Sequence, residues 1–501
     1  MQKQFDELKT RLAEINDLTA AAELLMWDEQ THMPPGGAEA RGRQIGTLQR
    51  LAHEKLTDER IGHLLDDLSQ TMGDLPYASD EASLLRVTRR EYEQATRVPG
   101  DFVSQVAGHT SATFNVWTKA RQANDFAALR PYLEKTLELS LRFAEYFPGR
   151  GEAIDPFIDQ SDYGMSAATV AALFEELRAE LVPLVHAIGA QPLADDQVLW
   201  RTYPEAAQLA FGEQVVRQLG YDFDRGRQDK TFHPFAARFS INDVRITTRI
   251  NENFLSEGLF GTIHESGHAM YEQGVAQALE GTPLAGGTSA GVHESQSRLW
   301  ENLVGRSRGF WEHFFPALQA SFPAPLGDVS LDTFYRAINK VAPSLIRVEA
   351  DEVTYNLHVM LRFDLERALL NGQLAIADLP AAWNARMEAD LGLTPPNDRD
   401  GVLQDVHWFS GLIGGGFQGY TLGNVMSAQF FASAQAAHPE IPAQIQAGSF
   451  DTLRGWLTEN IYRHGAKFTA DEVVRQATGA RLAIAPYMAY LHSKYDALYN
   501  L

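Results

Sequence analysis

His264-Glu265-Ser266-Gly267-His268 is the stretch that decides how this chain folds and what it does. Residues four apart on a helix lie one above the other, so His264 and His268 can turn both imidazoles toward one ion. Glu265 lies beside them, within reach of a water at that ion. This is the H-E-x-x-H arrangement of zinc metallopeptidases: two neutral imidazole ligands and a carboxylate that accepts the water's proton. Two solvated or core histidines on an ordinary helix would show the same letters, so the surroundings carry the weight.

The motif helix is predicted over about 256–274, with Ser256 as its N-cap. Leu259, Ile263 and Met270 give it an apolar face, which lets the ligand face look inward over a cleft. Gly267 leaves room for a substrate or a neighbouring element to come close. A catalytic zinc takes three protein ligands and leaves one position for water. No third histidine stands at the spacing of the longer H-E-x-x-H-x-x-G-x-x-H pattern, so a glutamate is expected. Glu272, Glu280, Glu294 and Glu301 are the candidates. Glu272 shares the motif helix with His268, whereas Glu294 opens a second helix after a glycine-rich turn (Gly286, Gly287, Gly291). Two helices so joined can pack antiparallel and set Glu294 opposite the histidines. Glu294 is therefore the favoured third ligand, with Glu301 on the same face behind it.

Composition narrows the rest. The chain has 501 residues, 45% hydrophobic and 22% charged, with no cysteine. Disulfides, thiolate metal sites and a cysteine nucleophile are excluded, so any metal is held by His, Asp or Glu. Charges spread through the first 25 residues (Lys3, Asp6, Glu7, Lys9) leave no apolar signal region, and no stretch is apolar enough to span a membrane. A cytoplasmic protein is expected. A formal net charge of −22 argues against a nucleic-acid partner.

Most of the sequence has helical periodicity, as in Phe5, Leu8, Leu12, Ile15 and Leu18, or Val170, Leu173, Leu177 and Leu181. Met33-Pro34-Pro35-Gly36-Gly37 and Phe147-Pro148-Gly149-Arg150-Gly151 interrupt it. Two β-branched runs flank Ser240–Asp243 and predict a hairpin just before the metal motif. The fold class expected is mostly α with a small β-sheet near the active site, residues 1–501 forming one helical domain of two lobes.

Six short motifs then follow in order over about 175 residues. They are His233-Pro234-Phe235, Asp243-Val244-Arg245-Ile246-Thr247, the metal motif, His293-Glu294-Ser295-Gln296, Ile346-Arg347-Val348-Glu349-Ala350-Asp351, and Gly401-Val402-Leu403-Gln404-Asp405-Val406-His407-Trp408. With Met26–Thr31 and Met33–Gly36 they make nearly the whole chain resemble the carboxypeptidase Taq family. The resemblance implies metal-dependent carboxypeptidases with a two-lobed helical fold around a deep cleft, similar to neurolysin and angiotensin-converting enzyme, and usually homodimeric. It also supports Glu294 as third ligand; zinc is the ion expected from the motif, with cobalt as an alternative.

Removing C-terminal residues requires recognition of a free carboxylate, and a guanidinium fork suits it. Arg347 is the first candidate and Arg245 the second; the bland alternative for Arg347 is a salt bridge with Glu349, Asp351 or Glu352. Asp243–Thr247 can instead offer an exposed strand edge to an extended peptide. His407 or Tyr420 can donate to the oxyanion, with Gln404 and Asp405 beside them. His233 is either a substrate donor or a helix-capping residue that orders the loop. Gly414-Gly415-Gly416-Phe417-Gln418-Gly419 fits a dinucleotide fingerprint, but no βαβ unit surrounds it, and a flexible active-site loop is the better reading. The expected partner is a peptide with a free C-terminus. An endo-acting oligopeptidase would share the same metal chemistry, and a metal-stabilised scaffold would have no use for Glu265.

Overall fold

A computed structural model describes residues 2–501. Helices dominate, and the apolar periodicity of the sequence accounts for their buried faces. Gln2–Thr31 folds back against Ala38–Leu56 across the proline-glycine break, and Glu59–Thr71 and Asp80–Arg97 follow. Phe5, Leu8 and Leu12 from the first helix meet Leu64 and Leu68, and this small core also takes in Ile241, Leu279 and Leu284. The N-terminal helices are thereby seated on the hairpin tip and on the segment that follows the metal motif. A larger core runs from Phe102 to Tyr499 and contains Ile263, Met270 and Tyr271 of the motif helix.

The sheet has three strands, β1 (Gln228–Lys230), β2 (Ala236–Ser240) and β3 (Asp243–Thr248), in the order β1-β3-β2. The expected hairpin is β2–β3, antiparallel with Arg238 opposite Val244 and an irregularity before Ser240. β1 pairs parallel to β3. This corrects the expectation that Asp243–Thr247 offers a free strand edge, because β3 is the central strand. β1 was not foreseen: three polar residues carry no alternating pattern. Val244 and Ile246 are buried, and Thr248 Oγ1 accepts from Thr262 Oγ1 at 3.0 Å, so β3 lies directly against the motif helix.

The motif helix spans Leu255–Gln273 and is preceded by Phe254, with no side-chain cap. Ser256 is inside it and does not act as the N-cap. The second helix, Ala290–Arg298, is capped by Ser289, whose hydroxyl accepts from Val292 N at 3.1 Å. It widens into a π-helical turn at Leu299–Val304, a form common where a helix serves a site. Among the described residues no helix is long and apolar enough to cross a membrane.

Candidate metal centre and substrate groups

The two helices run antiparallel, which pairs His264 with Glu301 and His268 with Glu294. Gly267 makes the approach possible. A Cβ there would stand 2.7 Å from Gln296 O and from Ser297 Cα, so the neighbouring element it accommodates is the second helix. Gly423 does the same on the other side, where a Cβ would fall 2.6 Å from Glu294 Cβ.

Glu294 Oε2 lies 3.6 Å from His264 Nε2 and 3.4 Å from His268 Nε2. One ligand atom from each of the three residues falls within 4.8 Å of the others. Two imidazole nitrogens and one carboxylate, with no thiolate, suit a borderline divalent ion that keeps a position open. The donor set therefore fits the metal that the motif implies.

Outer partners aim these donors. His264 Nδ1 is 2.9 Å from Glu301 Oε2, which also accepts from Arg298 Nη1 at 3.2 Å. His268 Nδ1 is 2.6 Å from His293 Nδ1, and His293 Nε2 is 2.7 Å from Glu272 Oε1. A carboxylate only accepts, so His293 donates through Nε2 and accepts at Nδ1. His268 then donates through Nδ1, leaving its Nε2 lone pair facing Glu294. By the same logic Glu301 leaves the Nε2 of His264 free.

Around His268 and Glu294 the charges agree with this arrangement, whereas at His264 burial is outweighed by Glu294 and Glu301, which raise its imidazole. Burial lowers His268 to about 4, which favours the neutral ring. Burial raises Glu294, but the Arg298 guanidinium and the two histidines outweigh it and hold the carboxyl well below its usual range. Arg298 Nε donates to Glu294 Oε1 at 2.7 Å. Glu265 is buried beside the ligands, and that burial lifts its carboxyl to about 7.

A second cluster is built on Asp405. Arg347 donates to it through Nε at 2.5 Å and Nη2 at 3.3 Å, Arg362 through Nε at 3.0 Å, and His407 Nδ1 lies 2.6 Å away. Burial opposes ionisation of Asp405, yet the His407 hydrogen bond and the two arginines keep it far below the usual range. Arg347 Nη1 donates to Tyr355 OH at 2.9 Å. These three bonds use three of its five N–H donors. The alternative partners Glu349, Asp351 and Glu352 are not the ones it uses.

Several expected substrate groups are engaged elsewhere. Gln404 takes Arg347 N and Arg362 Nη2 on its oxygen, both at 3.0 Å, and gives its amide to Leu345 O and Asp400 O. It holds Arg347 rather than facing a substrate. Arg245 is paired with Asp243 through both Nε and Nη2 at 2.8 Å and stacks on Trp27. Tyr420 OH lies 3.4 Å from His407 Nε2, and burial lifts its hydroxyl to about 12, so it keeps its proton. His407, giving Nδ1–H to Asp405, presents an acceptor at Nε2 in its neutral form. His233 shows no capping role; its backbone N–H and C=O both bond the Thr231 hydroxyl. Partial burial and the nearby charges of Arg347 and His407 lower its imidazole pKa.

Comparison with known proteins gives this geometry its family. The profile of the carboxypeptidase Taq (M32) metallopeptidases matches residues 7–495. The chain belongs to that family. It is a metal-dependent carboxypeptidase acting on peptides. Thermostable carboxypeptidase 1 of Thermus thermophilus is 42% identical over 493 residues, 96% of each chain. Carboxypeptidase 1 of Bacillus subtilis is 36% identical over 503 residues, 100% of this chain and 99% of that one. The crystal structure of the M32 carboxypeptidase from Deinococcus radiodurans R1 superposes with a TM-score of 0.97 at 51% identity, covering 100% of both chains.

Within this M32 chain, Tyr355, Arg362 and Arg298 were not foreseen as site residues. Tyr355 bridges the two clusters: it accepts from Arg347, and Arg298 lies 4.8 Å over its ring. Its position a few residues past Ile346–Asp351 was the only available signal. Glu272, weighed as a metal ligand, stands one step back, behind His293.

Proposed function

We propose that this carboxypeptidase holds zinc through His264, His268 and Glu294, with Glu265 as general base and Arg347 as the anchor for the substrate's terminal carboxylate. Cobalt would suit the same donors. The convergence of His264 Nε2, His268 Nε2 and Glu294 Oε2 around one point, with Glu265 alongside, is the observation that carries the proposal. A divalent ion held there supplies Lewis acidity toward the scissile carbonyl and makes an attacking water easier to deprotonate.

The chain's own groups do the rest. Glu265 takes the proton from the water and returns it to the leaving amine, a task suited to a carboxyl lifted to about 7 by burial. Tyr420, a protonated hydroxyl not tied to the backbone, donates to the carbonyl oxygen as charge develops on it. Arg347, held in place by Asp405 and Gln404, meets the free C-terminus with the open edge of its fork. His233 lines the same space, while Arg245 acts through the Asp243 pair and the Trp27 stack to shape the sheet. In the free enzyme the Tyr420 proton points to His407 Nε2 at 3.4 Å, and the hydroxyl turns away from that long contact to meet the substrate. The chain is read as one domain of two lobes, acting in the cytoplasm as a homodimer; the unbroken core from Phe102 to Tyr499, the absence of cysteine and the family resemblance support these points.

One unmodified peptide and its C-terminally amidated twin, followed by mass spectrometry, test the anchor. The free acid should be trimmed one residue at a time and the amide poorly. Arg347→Ala should narrow that difference; if it leaves the preference for the free acid intact, the anchor is another residue.

A further inference from the structure

None of the groups at the metal centre or the Asp405 cluster lines the cavity of about 280 Å³ between the Asp80–Arg97 helix, Phe147 and Tyr163. Arg86, Arg89, Arg90, Arg97 and Arg150 line it, with Glu93 and Gln94 as the other polar side chains beside Tyr163. In a chain of net charge −22, so many guanidiniums on one cavity run against the field of the whole molecule.

Local acids answer only part of this charge. Arg89 pairs with Asp66 at 2.9 Å, Arg150 with Asp159 at 3.0 Å, and Arg97 reaches Glu93 at 3.6 Å. Arg86 has no carboxylate partner among the described residues; it donates to the carbonyls of Tyr77 at 3.1 Å and Lys467 at 2.7 Å. Arg90 stands over the Tyr163 ring at 4.2 Å, and its Nε is buried with no hydrogen-bond partner. The Tyr163 ring, which cannot neutralise it, is thus its nearest partner, and its charge stays unanswered by any carboxylate at salt-bridge distance among the described residues. Glu91, next in sequence, is a poor counter-ion, because burial lifts its carboxyl to about 7 against the pull of Arg90.

We propose that this cavity is a second binding site, which takes the phosphate group of a small molecule. A phosphate carries nearly two negative charges at neutral pH and offers several oxygens, whereas a single carboxylate would leave much of the arginine charge unanswered. The planar fork of arginine binds such oxygens in pairs. Phe147 and Tyr163 add ring surface on which an organic part of the ligand can rest. Free phosphate and a nucleotide share the recognised chemistry, and they differ only in whether that ring surface is used.

Calorimetric titration of the metal-loaded full-length enzyme with inorganic phosphate, against sodium chloride at matched ionic strength, tests the site. Saturable binding of phosphate but not chloride is expected. The Arg90→Gln/Arg97→Gln double variant should bind at least about tenfold more weakly, the loss expected for charge-assisted hydrogen bonds, with peptide hydrolysis unchanged. Arg90→Lys keeps the charge but loses the fork and should fall between the two; a thermal melt establishes that each variant is folded. Titration with ADP separates the sources: affinity equal to phosphate means that the phosphate group alone is read, and tighter binding means that the rings contribute. Phosphate binding no stronger than chloride would overturn the proposal. So would undiminished phosphate binding in the folded double variant, which would put the anion at the metal centre instead.

Discussion

The Nδ1 atoms of His268 and His293 stand 2.6 Å apart, and Glu272 lies on the far side of His293. Only one of two such nitrogens can carry the proton, and Glu272 decides which. The result is a His268 ring with its Nε2 lone pair facing Glu294. His293→Phe removes the acceptor without adding charge. Metal affinity, measured by competition with a chromophoric chelator, should fall by about 10–100-fold. Turnover at saturating metal should stay within a few-fold of wild type. Unchanged affinity would mean that the tautomer of His268 is set by something other than His293.

Asp405 is the shared anion for Arg347, Arg362 and His407. Asp405→Asn keeps the shape but leaves two buried guanidiniums without their counter-charge. Loss of one partner of a buried ion pair costs about 3–5 kcal/mol, so the unfolding midpoint should drop markedly. With Arg347 held only by Gln404 and Tyr355, KM for a free-acid peptide should rise more than KM for its amide. An equal rise for both peptides would separate Asp405 from carboxylate recognition.

Much of the candidate metal site was legible because its residues are close in sequence: His264 and His268 share a helix, and Glu294 lies on the next one. The Asp405 cluster was not, since Arg347 and Asp405 are 58 residues apart and only the fold brings them together. Arg362 looked like any helical arginine, and nothing in its neighbours marks it as fully buried. The hairpin was readable from its β-branched alternation, but β1 was not, and without β1 the central strand looked like an edge. Ser256 failed as a cap because the chain enters the helix two residues earlier, from Phe254 in extended conformation.

Glu366 lies buried beneath the glycine-rich loop, where Trp408 Nε1 donates to it at 2.8 Å. Burial lifts its carboxyl to about 7, against hydrogen bonds from Trp408, Gly414 and Gly415. Between the ordinary value of 4.5 and about 7, the folded protein keeps a proton that the unfolded chain has released. Stability from this group is therefore greatest at low pH, falls as pH rises through that window, and is level above it. Glu366→Gln should remove the slope. Urea unfolding at several pH values should show the variant gaining on wild type by about 1–3 kcal/mol between pH 5 and pH 8. Parallel curves would mean that Glu366 is ionised throughout.

The account stands or falls on separate roles for Glu265 and Glu294. Metal content and turnover, measured side by side on Glu265→Gln and Glu294→Ala, address both at once. Glu265→Gln should keep its full metal content while turnover falls at least about 100-fold, the scale of a lost general base. Glu294→Ala should lose both metal and activity. Near-normal turnover in Glu265→Gln, or full metal content in Glu294→Ala, would contradict the account.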